Sequence, residues 1–249
     1  MPRNKKKGIV ITGAGTGIGK NCAELFLEQG YRVALLGRRK KLLESVSGGH
    51  NSALVIPCDI SNSEEVSNAF KIIEEKWAGL DILFNNAGLA IPSCTIDKME
   101  VEDWNKMISI NMTGTFLCAR EAFRIMREQR PQGGRIINNG SISAHVPRPE
   151  SAAYTSTKHA VTGLTKALSL DGRPFQIACG QIDIGNALTG LTAGFSTGVR
   201  QANGATLAEP TIEALDVAKS VLHMAELPLN ANIQFMTLMA TTMPYIGRG

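Results

Sequence analysis

The sequence predicts an α/β fold with a seven-stranded, mostly parallel, doubly wound sheet and helices on both faces. Short apolar runs rich in β-branched residues alternate with longer amphipathic runs along the chain, which is the pattern of repeated βαβ units. The 249 residues, 43% of them apolar and 19% charged, fit one α/β domain. No internal repeat or linker interrupts the pattern, so we expect a single domain over residues 1–249.

Seven runs have the length and composition of strands that are buried on both faces. In chain order they are GIVIT (8–12), RVALL (32–36), ALVI (53–56), LDILF (80–84), RIIN (135–138), FQIACGQI (175–182) and NIQFM (232–236). Amphipathic stretches between them predict helices near residues 18–29, 39–47, 63–77, 101–129, 152–171 and 211–226. This alternation predicts helices that cover both faces of a parallel sheet.

The first strand runs directly into TGAGTGIG (12–19), which opens a helix. Glycines there permit a sharp turn and bring the backbone close to a pyrophosphate that sits on the helix N-terminal amides. A tight turn for packing alone is the alternative. The position between the first strand and helix of a βαβ unit favours a dinucleotide site and a Rossmann fold.

The second strand ends in LLGRRKK (35–41). A site that prefers NAD usually has an Asp or Glu there, bonded to the ribose 2'-hydroxyl. Gly37 stands in its place, and Arg38 follows, whose guanidinium suits a 2'-phosphate. We therefore expect NADP(H) as the cofactor. The alternative, a solvated helix start, explains Lys40 and Lys41.

In SAAYTSTKHA (151–160), Tyr154 and Lys158 are four residues apart and fall on one helix face. The pair alone is weak support for catalysis. If it faces a pocket, at a separation of about 5 Å and an effective dielectric of about 20, Lys158 stabilises a Tyr154 phenolate by around 3 kcal/mol.

With these motifs the chain closely resembles the short-chain dehydrogenase/reductase family over nearly its whole length. TGAGTGIG matches the family's TGxxxGxG turn, CDI (58–60) its Asp beside the adenine, and NNAG (85–88) its fourth-strand motif. The resemblance assigns the family's catalytic tetrad to four residues in the expected order, with the usual spacing between the serine and the tyrosine: Asn111, Ser141, Tyr154 and Lys158.

The resemblance implies hydride transfer between NADP(H) and a carbonyl or secondary alcohol. Tyr154 is then the general acid or base, Ser141 holds the substrate oxygen, Lys158 also binds the nicotinamide ribose, and Asn111 holds a water that links Lys158 to solvent. The implied cofactor contacts follow the glycine turn and the strand ends: Gly13, Thr16, Gly17, Ile18, Gly19, Arg38, Arg39, Asp59, Ile60, Asn86, Ala87, Gly88, Tyr154, Lys158, Gly185 and Thr189.

Two features depart from the family pattern. IGNALT (184–189) stands where the family commonly has PGxVxT, so Ile184 replaces the proline and we expect a differently shaped nicotinamide side. The chain also ends in a methionine-rich segment, FMTLMATTMPYIGRG (235–249). Its methionines, Met236, Met239 and Met243, either line a substrate pocket or pack in the core or a subunit contact.

Several alternatives remain at the site itself. Ser143 competes with Ser141 for the substrate oxygen, and His145 is either a second acid or a passive loop residue. Asn111 is either functional or a helix-interior residue bonded to a nearby carbonyl. A non-catalytic NADP(H) sensor would share the fold, but it would not need the serine, tyrosine and lysine together. An epimerase or dehydratase of the extended relatives would need a longer chain.

The substrate pocket is expected to form from residues 90–97, 143–150 and 189–210. The last of these segments, TGLTAGFSTGVRQANGATLAEP, is long for a loop inside a compact domain, which favours a binding lid over a disordered insertion. The resemblance also implies a homo-oligomer, a tetramer or dimer. The apolar helix at 104–126 would serve either an interface or the core.

Composition bounds the remaining partners. The five cysteines, with no C-x-x-C pair and no histidine cluster, predict reduced thiols, no metal site and a cytoplasmic location. No apolar run approaches the roughly 20 residues of a membrane span, and the short apolar run after the basic start is too short for a signal peptide. A net charge of +4 with 5% aromatics argues against a nucleic-acid partner. A small molecule is the expected substrate.

Overall fold

A seven-stranded parallel sheet forms the centre of the fold. The computed structural model describes residues 6–190 and 198–246. The strands in chain order are β1 (Gly8–Thr12), β2 (Arg32–Gly37), β3 (Ala53–Pro57), β4 (Ile82–Asn85), β5 (Gly134–Asn139), β6 (Ile177–Ile184), β7 (Ala187–Leu188), β8 (Val199–Arg200), β9 (Thr206–Leu207), β10 (Ile212–Glu213) and β11 (Phe235–Leu238). The central sheet has the order β11-β6-β5-β4-β1-β2-β3, and each neighbouring pair is parallel.

Helices connect the strands and cover both faces of the sheet. They are α1 (Gly17–Glu28), α2 (Lys40–Ser47), α3 (Ser63–Trp77), α4 (Val101–Met107), α5 (Thr115–Glu128), α6 (Ala152–Asp171) and α7 (Ala214–Glu226). A π-helical segment, Ile108–Gly114, joins α4 to α5, so residues 101–128 form one helical run. Helices α1, α2 and α7 share one apolar core, while α3 and α5 share the other.

The alternation of side chains along each strand explains these two cores. In β1, Ile9 and Ile11 belong to the core under α1, and Val10 belongs to the core under α3. In β4, Phe84 belongs to the core under α1, and Leu83 belongs to the core under α3. Successive side chains of a strand point to opposite faces. A strand covered on both faces must therefore be apolar throughout, which is why these runs are recognisable in the sequence.

All seven predicted strands and all six predicted helical stretches are present, with shifted ends. The sixth strand begins at Ile177, not at Phe175, because residues 173–175 form a 3₁₀ turn and Gln176 has a positive φ of 57°. The last strand begins at Phe235. Within the described part of the chain, no helix has the length and apolarity needed to cross a membrane.

The predicted lid at 189–210 is described in part. Residues 191–197 lie outside the described residues. Beyond them, β8 and β9 pair as a short antiparallel hairpin. Strand β10 pairs with β7, so the far end of the segment returns to the end of β6.

The order of the strands places the site. The chain leaves β1 toward β2 and β3 on one side, and β4, β5 and β6 lie on the other. A crevice opens outside the carboxyl ends of parallel strands where the strand order reverses in this way. The loops after β1, β4, β5 and β6 therefore meet at one edge.

Candidate active site

A cavity of about 940 Å³ lies at this edge of the sheet. Its wall is built from the glycine turn, the ends of β2 and β3, the loops after β4, β5 and β6, and the first turns of α6. It extends from Arg38 and Asp59, which follow β2 and β3, to Ser141 and Tyr154, which follow β5. One continuous cavity thus borders both the predicted cofactor residues and the predicted reacting groups.

The glycine turn has the shape that a close-lying phosphate requires. Gly13 has a φ of 66°, and a Cβ there would come within 2.9 Å of the Cα of Ala87. Any other residue would be strained at this position. Thr16 precedes α1 without a side-chain capping bond, and the first turn of α1 contains no acidic residue. The amides at this helix end are therefore suited to an anion.

Side-chain hydrogen bonds tie the ends of three strands together beside the turn. The hydroxyl of Thr12 accepts the backbone N–H groups of Asn86 and Ala87, both at 2.9 Å. Asn86 donates its amide to the Thr12 carbonyl at 2.9 Å and accepts from the amide of Asn139 at 3.0 Å. These bonds fix the backbone of the NNAG segment against the cavity.

The end of β2 presents positive charge to the cavity. Arg38 and Arg39 are exposed on its wall, and Gly37 supplies no carboxylate there. Asp59 lies near Arg38 and accepts hydrogen bonds from the backbone and hydroxyl of Ser61 at 3.0 and 2.7 Å. Burial alone would raise the pKa of Asp59, but the Ser61 bonds and the charge of Arg38 hold that pKa below its ordinary value.

The predicted pair on α6 faces the cavity. Tyr154 and Lys158 both line the wall. The Nζ of Lys158 lies 5.6 Å from the ring centroid of Tyr154 and donates a 2.7 Å hydrogen bond to the carbonyl of Asn139. Only 7% of Lys158 is exposed. The ammonium is therefore held beside the Tyr154 ring and is largely shielded from solvent.

Ser141 is fixed by a residue that the sequence analysis missed. The backbone N–H of Ser141 donates to Asp183 at 3.0 Å, and the same carboxylate accepts from the side chain of Gln181 at 2.7 Å. Asp183 is fully buried near the end of β6. An acidic residue inside the otherwise apolar run FQIACGQIDI is the sequence signal that could have identified it.

The two alternatives near Ser141 differ in position. Ser143 also lines the cavity, and its backbone N–H donates to the hydroxyl of Ser141 at 3.1 Å. The ring of His145 bonds to Asp183 at 2.9 Å through Nε2 and does not line the cavity. The geometry therefore favours a passive, supporting place for His145 over a second acid.

Asn111 lies in the π-helical segment and is buried behind the cavity wall. Its side chain accepts from the backbone N–H of Leu89 at 2.7 Å and donates to the Leu89 carbonyl at 2.9 Å. A longer contact of 3.4 Å joins its amide to Thr157. Asn111 thus anchors the loop after β4 to the helix.

The cavity wall includes every predicted site residue except Asn111 and Gly19. Gly19 is buried, and a Cβ there would clash with the carbonyl oxygen of Gly13. Gly19 thus has a packing role, and its contact with the cofactor stays a prediction. It allows α1 to approach the turn closely.

The two departures from the family pattern differ in where they lie. Ile184 is buried and lines the cavity at the end of β6. Met243 is buried against Ile142 in a small apolar cluster that also includes Met239, and Met236 packs against the core under α1. None of these three methionines lines the cavity. These three methionines pack against apolar residues of the protein.

Among residues 6–190 and 198–246, no group of three or more His, Cys, Asp or Glu side chains is arranged to hold a metal ion. All five cysteines have free thiols. Burial raises the pKa of several of these thiols, that of Cys58 to about 12. Such thiols are poor nucleophiles near neutral pH.

Comparisons with known proteins agree with this fold. A family model described as short chain dehydrogenase matches residues 7–199. An uncharacterized oxidoreductase of Staphylococcus aureus (strain USA300) is 34% identical over 234 residues, which cover 93% of this chain and 96% of that protein.

Two solved structures show the same likeness. A 3-ketoacyl-(acyl-carrier-protein) reductase from Brucella melitensis, complexed with NADH, has a TM-score of 0.84 and 27% identity, with 94% of this chain and 96% of that chain covered. A closed form of serine dehydrogenase complexed with NADP⁺ has a TM-score of 0.85 and 26% identity, with 97% and 98% covered. The likeness extends over nearly the whole of each protein.

Proposed function

The chain belongs to the short-chain dehydrogenase family, and on that premise we propose that it is an NADP(H)-dependent oxidoreductase acting on a carbonyl or secondary alcohol. The observation that carries the proposal is the convergence of Ser141, Tyr154 and Lys158 on the cavity that also borders the glycine turn and Arg38. The similar structures with NADH and NADP⁺ support a nicotinamide cofactor.

The cavity suits such a cofactor. The free amides at the start of α1 would hold the pyrophosphate, Asp59 and Ile60 would border the adenine, and Arg38 would hold a 2'-phosphate. When bound, NADPH supplies the hydride that reduces the carbonyl carbon. The preference for NADP(H) rests on Arg38 and on the missing carboxylate at Gly37.

Tyr154 would move the proton. In the reductive direction its hydroxyl donates a proton to the substrate oxygen, so that an alcohol forms and a phenolate remains; oxidation reverses both transfers. Ser141 would donate a hydrogen bond to the same oxygen as negative charge develops there. Asp183 keeps the Ser141 backbone in place, because it accepts the N–H of that residue.

Lys158 would stabilise the phenolate through space and hold the nicotinamide ribose. Its bond to Asn139 limits where the ammonium can lie. Asn111 was expected to hold a water next to Lys158. The bonds of its side chain to Leu89 favour a positioning role instead, in which Asn111 orients the loop after β4.

A non-catalytic sensor is the rival function. It would need the turn and the charge of Arg38, but it would not need a serine, a tyrosine and a buried lysine on one wall. The three reacting groups therefore favour an enzyme.

We also propose a homo-oligomer, a tetramer or dimer, and a cytoplasmic location. Large apolar side chains of the long helical run are partly exposed, among them Trp104, Met112 and Phe116 at 36%, 42% and 47%. A helical face of this kind is suited to contact another subunit. Free cysteines are the usual state in a reducing compartment.

The function is tested by the absorbance of NADPH at 340 nm with purified protein and a panel of ketones. We expect consumption with at least one ketone. Cofactor binding, measured by quenching of protein fluorescence, is followed in the same samples. Tight NADPH binding without consumption of NADPH by any ketone, and without reduction of NADP⁺ by any secondary alcohol, would favour the sensor.

A further inference from the structure

Each charged side chain at the substrate end of the cavity forms an ion pair within the protein. The wall there comes from the three segments expected to form the substrate pocket. Among the described wall residues of those segments, the charged ones are Arg148, Glu150 and Arg200. Whether this end of the cavity can bind an anion therefore depends on the partners of Arg148 and Arg200.

Arg148 is engaged by a buried carboxylate. It forms an ion pair with Glu209 and donates to the side-chain amide oxygen of Asn186 at 2.9 Å. Glu209 also accepts from Asn186 at 2.9 Å and from Gln201 at 3.0 Å. Its side chain is only 1% exposed. If Arg148 turned to a substrate anion, the buried carboxylate of Glu209 would lose this ion pair, which is strongly unfavourable.

Arg200 is engaged at the rim by a carboxylate on the same wall. Its Nη1 lies 2.6 Å from Glu150, and the two side chains are 57% and 19% exposed. A pair this exposed is weak, so Arg200 can move. Glu150 would then face the cavity alone and repel an anion.

The other described residues that line this end of the cavity are uncharged and largely apolar. Ile91, Pro92, Pro149 and Val199 contribute to it. Lys158 is held by Asn139 beside Tyr154. On the basis of the proposed function, we infer that the substrate is an uncharged, largely apolar ketone or secondary alcohol, and that the two ion pairs exclude substrates that carry a carboxylate or phosphate.

Matched ketones test this inference. The pairs are 4-methylacetophenone with 4-acetylbenzoate and 2-octanone with 7-oxooctanoate, each compared by kcat/KM with NADPH. We expect the neutral member to be favoured by about tenfold or more, because a carboxylate buried without a free cation loses its hydration. Equal or better use of the carboxylate members would overturn the inference.

Binding separates this inference from the proposed function. The same compounds are titrated calorimetrically into the protein with NADP⁺ present, where ketone reduction cannot occur. If the neutral ketones bind more tightly in this titration but none is reduced in the NADPH assay, the substrate class is supported and the proposed reaction is contradicted. If ketones are reduced in the NADPH assay but the carboxylates bind more tightly, the proposed reaction is supported and the substrate class is contradicted.

Variants test the two ion pairs. Glu150→Gln leaves Arg200 without its partner, so we expect the carboxylate-to-neutral ratio of kcat/KM to rise about tenfold, as for one charged hydrogen bond. Glu209→Gln, if it folds, should raise the ratio through Arg148. The control is Glu128→Gln, an exposed glutamate of α5 that pairs with Arg124 and does not line the cavity. An unchanged ratio in Glu150→Gln would contradict the role of that pair.

Discussion

The ammonium of Lys158 donates a 2.7 Å hydrogen bond to the carbonyl oxygen of Asn139, the last residue of β5. This bond joins α6 to the sheet and places the positive charge 5.6 Å from the ring centroid of Tyr154. A backbone carbonyl is a less mobile partner than a side chain. The relation between the two side chains on α6 is therefore set by the fold.

We expect Lys158→Met to lower both turnover and cofactor affinity. The substitution keeps most of the side-chain volume but removes the charge that stabilises the phenolate and the donor that would hold the ribose. Losing charged hydrogen bonds predicts about a tenfold or larger effect on each quantity. Stopped-flow turnover and fluorescence titration with NADPH measure the two effects. A variant with unchanged NADPH affinity would contradict the ribose contact, and one with unchanged turnover would contradict the electrostatic role.

Tyr154→Phe should separate chemistry from binding. The ring remains on the wall, so NADPH affinity is expected to stay within a few-fold of the parent, whereas kcat should fall by roughly 10² to 10⁴ because the proton donor is gone. Steady-state kinetics at several pH values measure this. The matched control is Tyr31→Phe, a buried tyrosine that packs edge-on against Phe26 and does not line the cavity. Full activity of Tyr154→Phe would rule out the proposed proton donor.

The end of β2 predicts a preference for NADPH over NADH. A charged hydrogen bond from Arg38 is worth about 1.5 to 3 kcal/mol, which corresponds to roughly a 10 to 150-fold preference. Arg38→Leu should weaken NADPH and barely affect NADH. Adding Gly37→Asp should reverse the preference, because the carboxylate accepts a bond from the ribose 2'-hydroxyl and repels a 2'-phosphate.

The measurement is kcat/KM for both cofactors with one ketone at low ionic strength, where screening is weakest. Lys41→Leu is the control, since Lys41 is exposed nearby and does not line the cavity. A parent protein that uses NADH at least as well as NADPH would refute the role of Arg38 and leave that of Tyr154 untouched.

Asp183 is expected to act through Ser141. Asp183→Ala removes the acceptor of the Ser141 N–H, so the serine loop shifts and kcat should fall by up to about 10². Asp183→Asn keeps an acceptor oxygen and should recover much of the loss. NADPH affinity should change little in either variant.

A purely structural role for Asp183 would give a different result. In that case both variants would lose stability in urea without a selective fall in kcat for the folded fraction. The discriminating measurement is kcat per folded molecule, with the folded fraction taken from circular dichroism. A kcat in Asp183→Ala equal to that of the parent would exclude the positioning role.

The strands and their positions along the chain were predictable because a strand that is buried on both faces has an apolar sequence. Runs such as GIVIT and RVALL are apolar throughout, and the helices between them repeat with their own period. The glycine turn was predictable for a similar reason. Its backbone shape requires glycine at Gly13, and that requirement is visible in the sequence.

The same reasoning placed Tyr154 and Lys158 on one helix face, because residues four apart are always neighbours on a helix. The sequence does not show whether the pair faces a pocket or solvent. The helix periodicity alone is compatible with a solvated pair, and the cavity beside Tyr154 arises only when β5, β6 and α6 pack together.

The sequence by itself determined the α/β fold, the glycine turn, the missing carboxylate at Gly37 and the spacing of the reacting groups, because each depends on residues close together in the chain. Only the tertiary structure decided which side chains became partners across long separations. Asp183 contacts Ser141, and Glu209 binds Arg148, although the paired positions are 42 and 61 residues apart in the chain. Such pairings have no local period, since they depend on which loops the sheet brings to one edge.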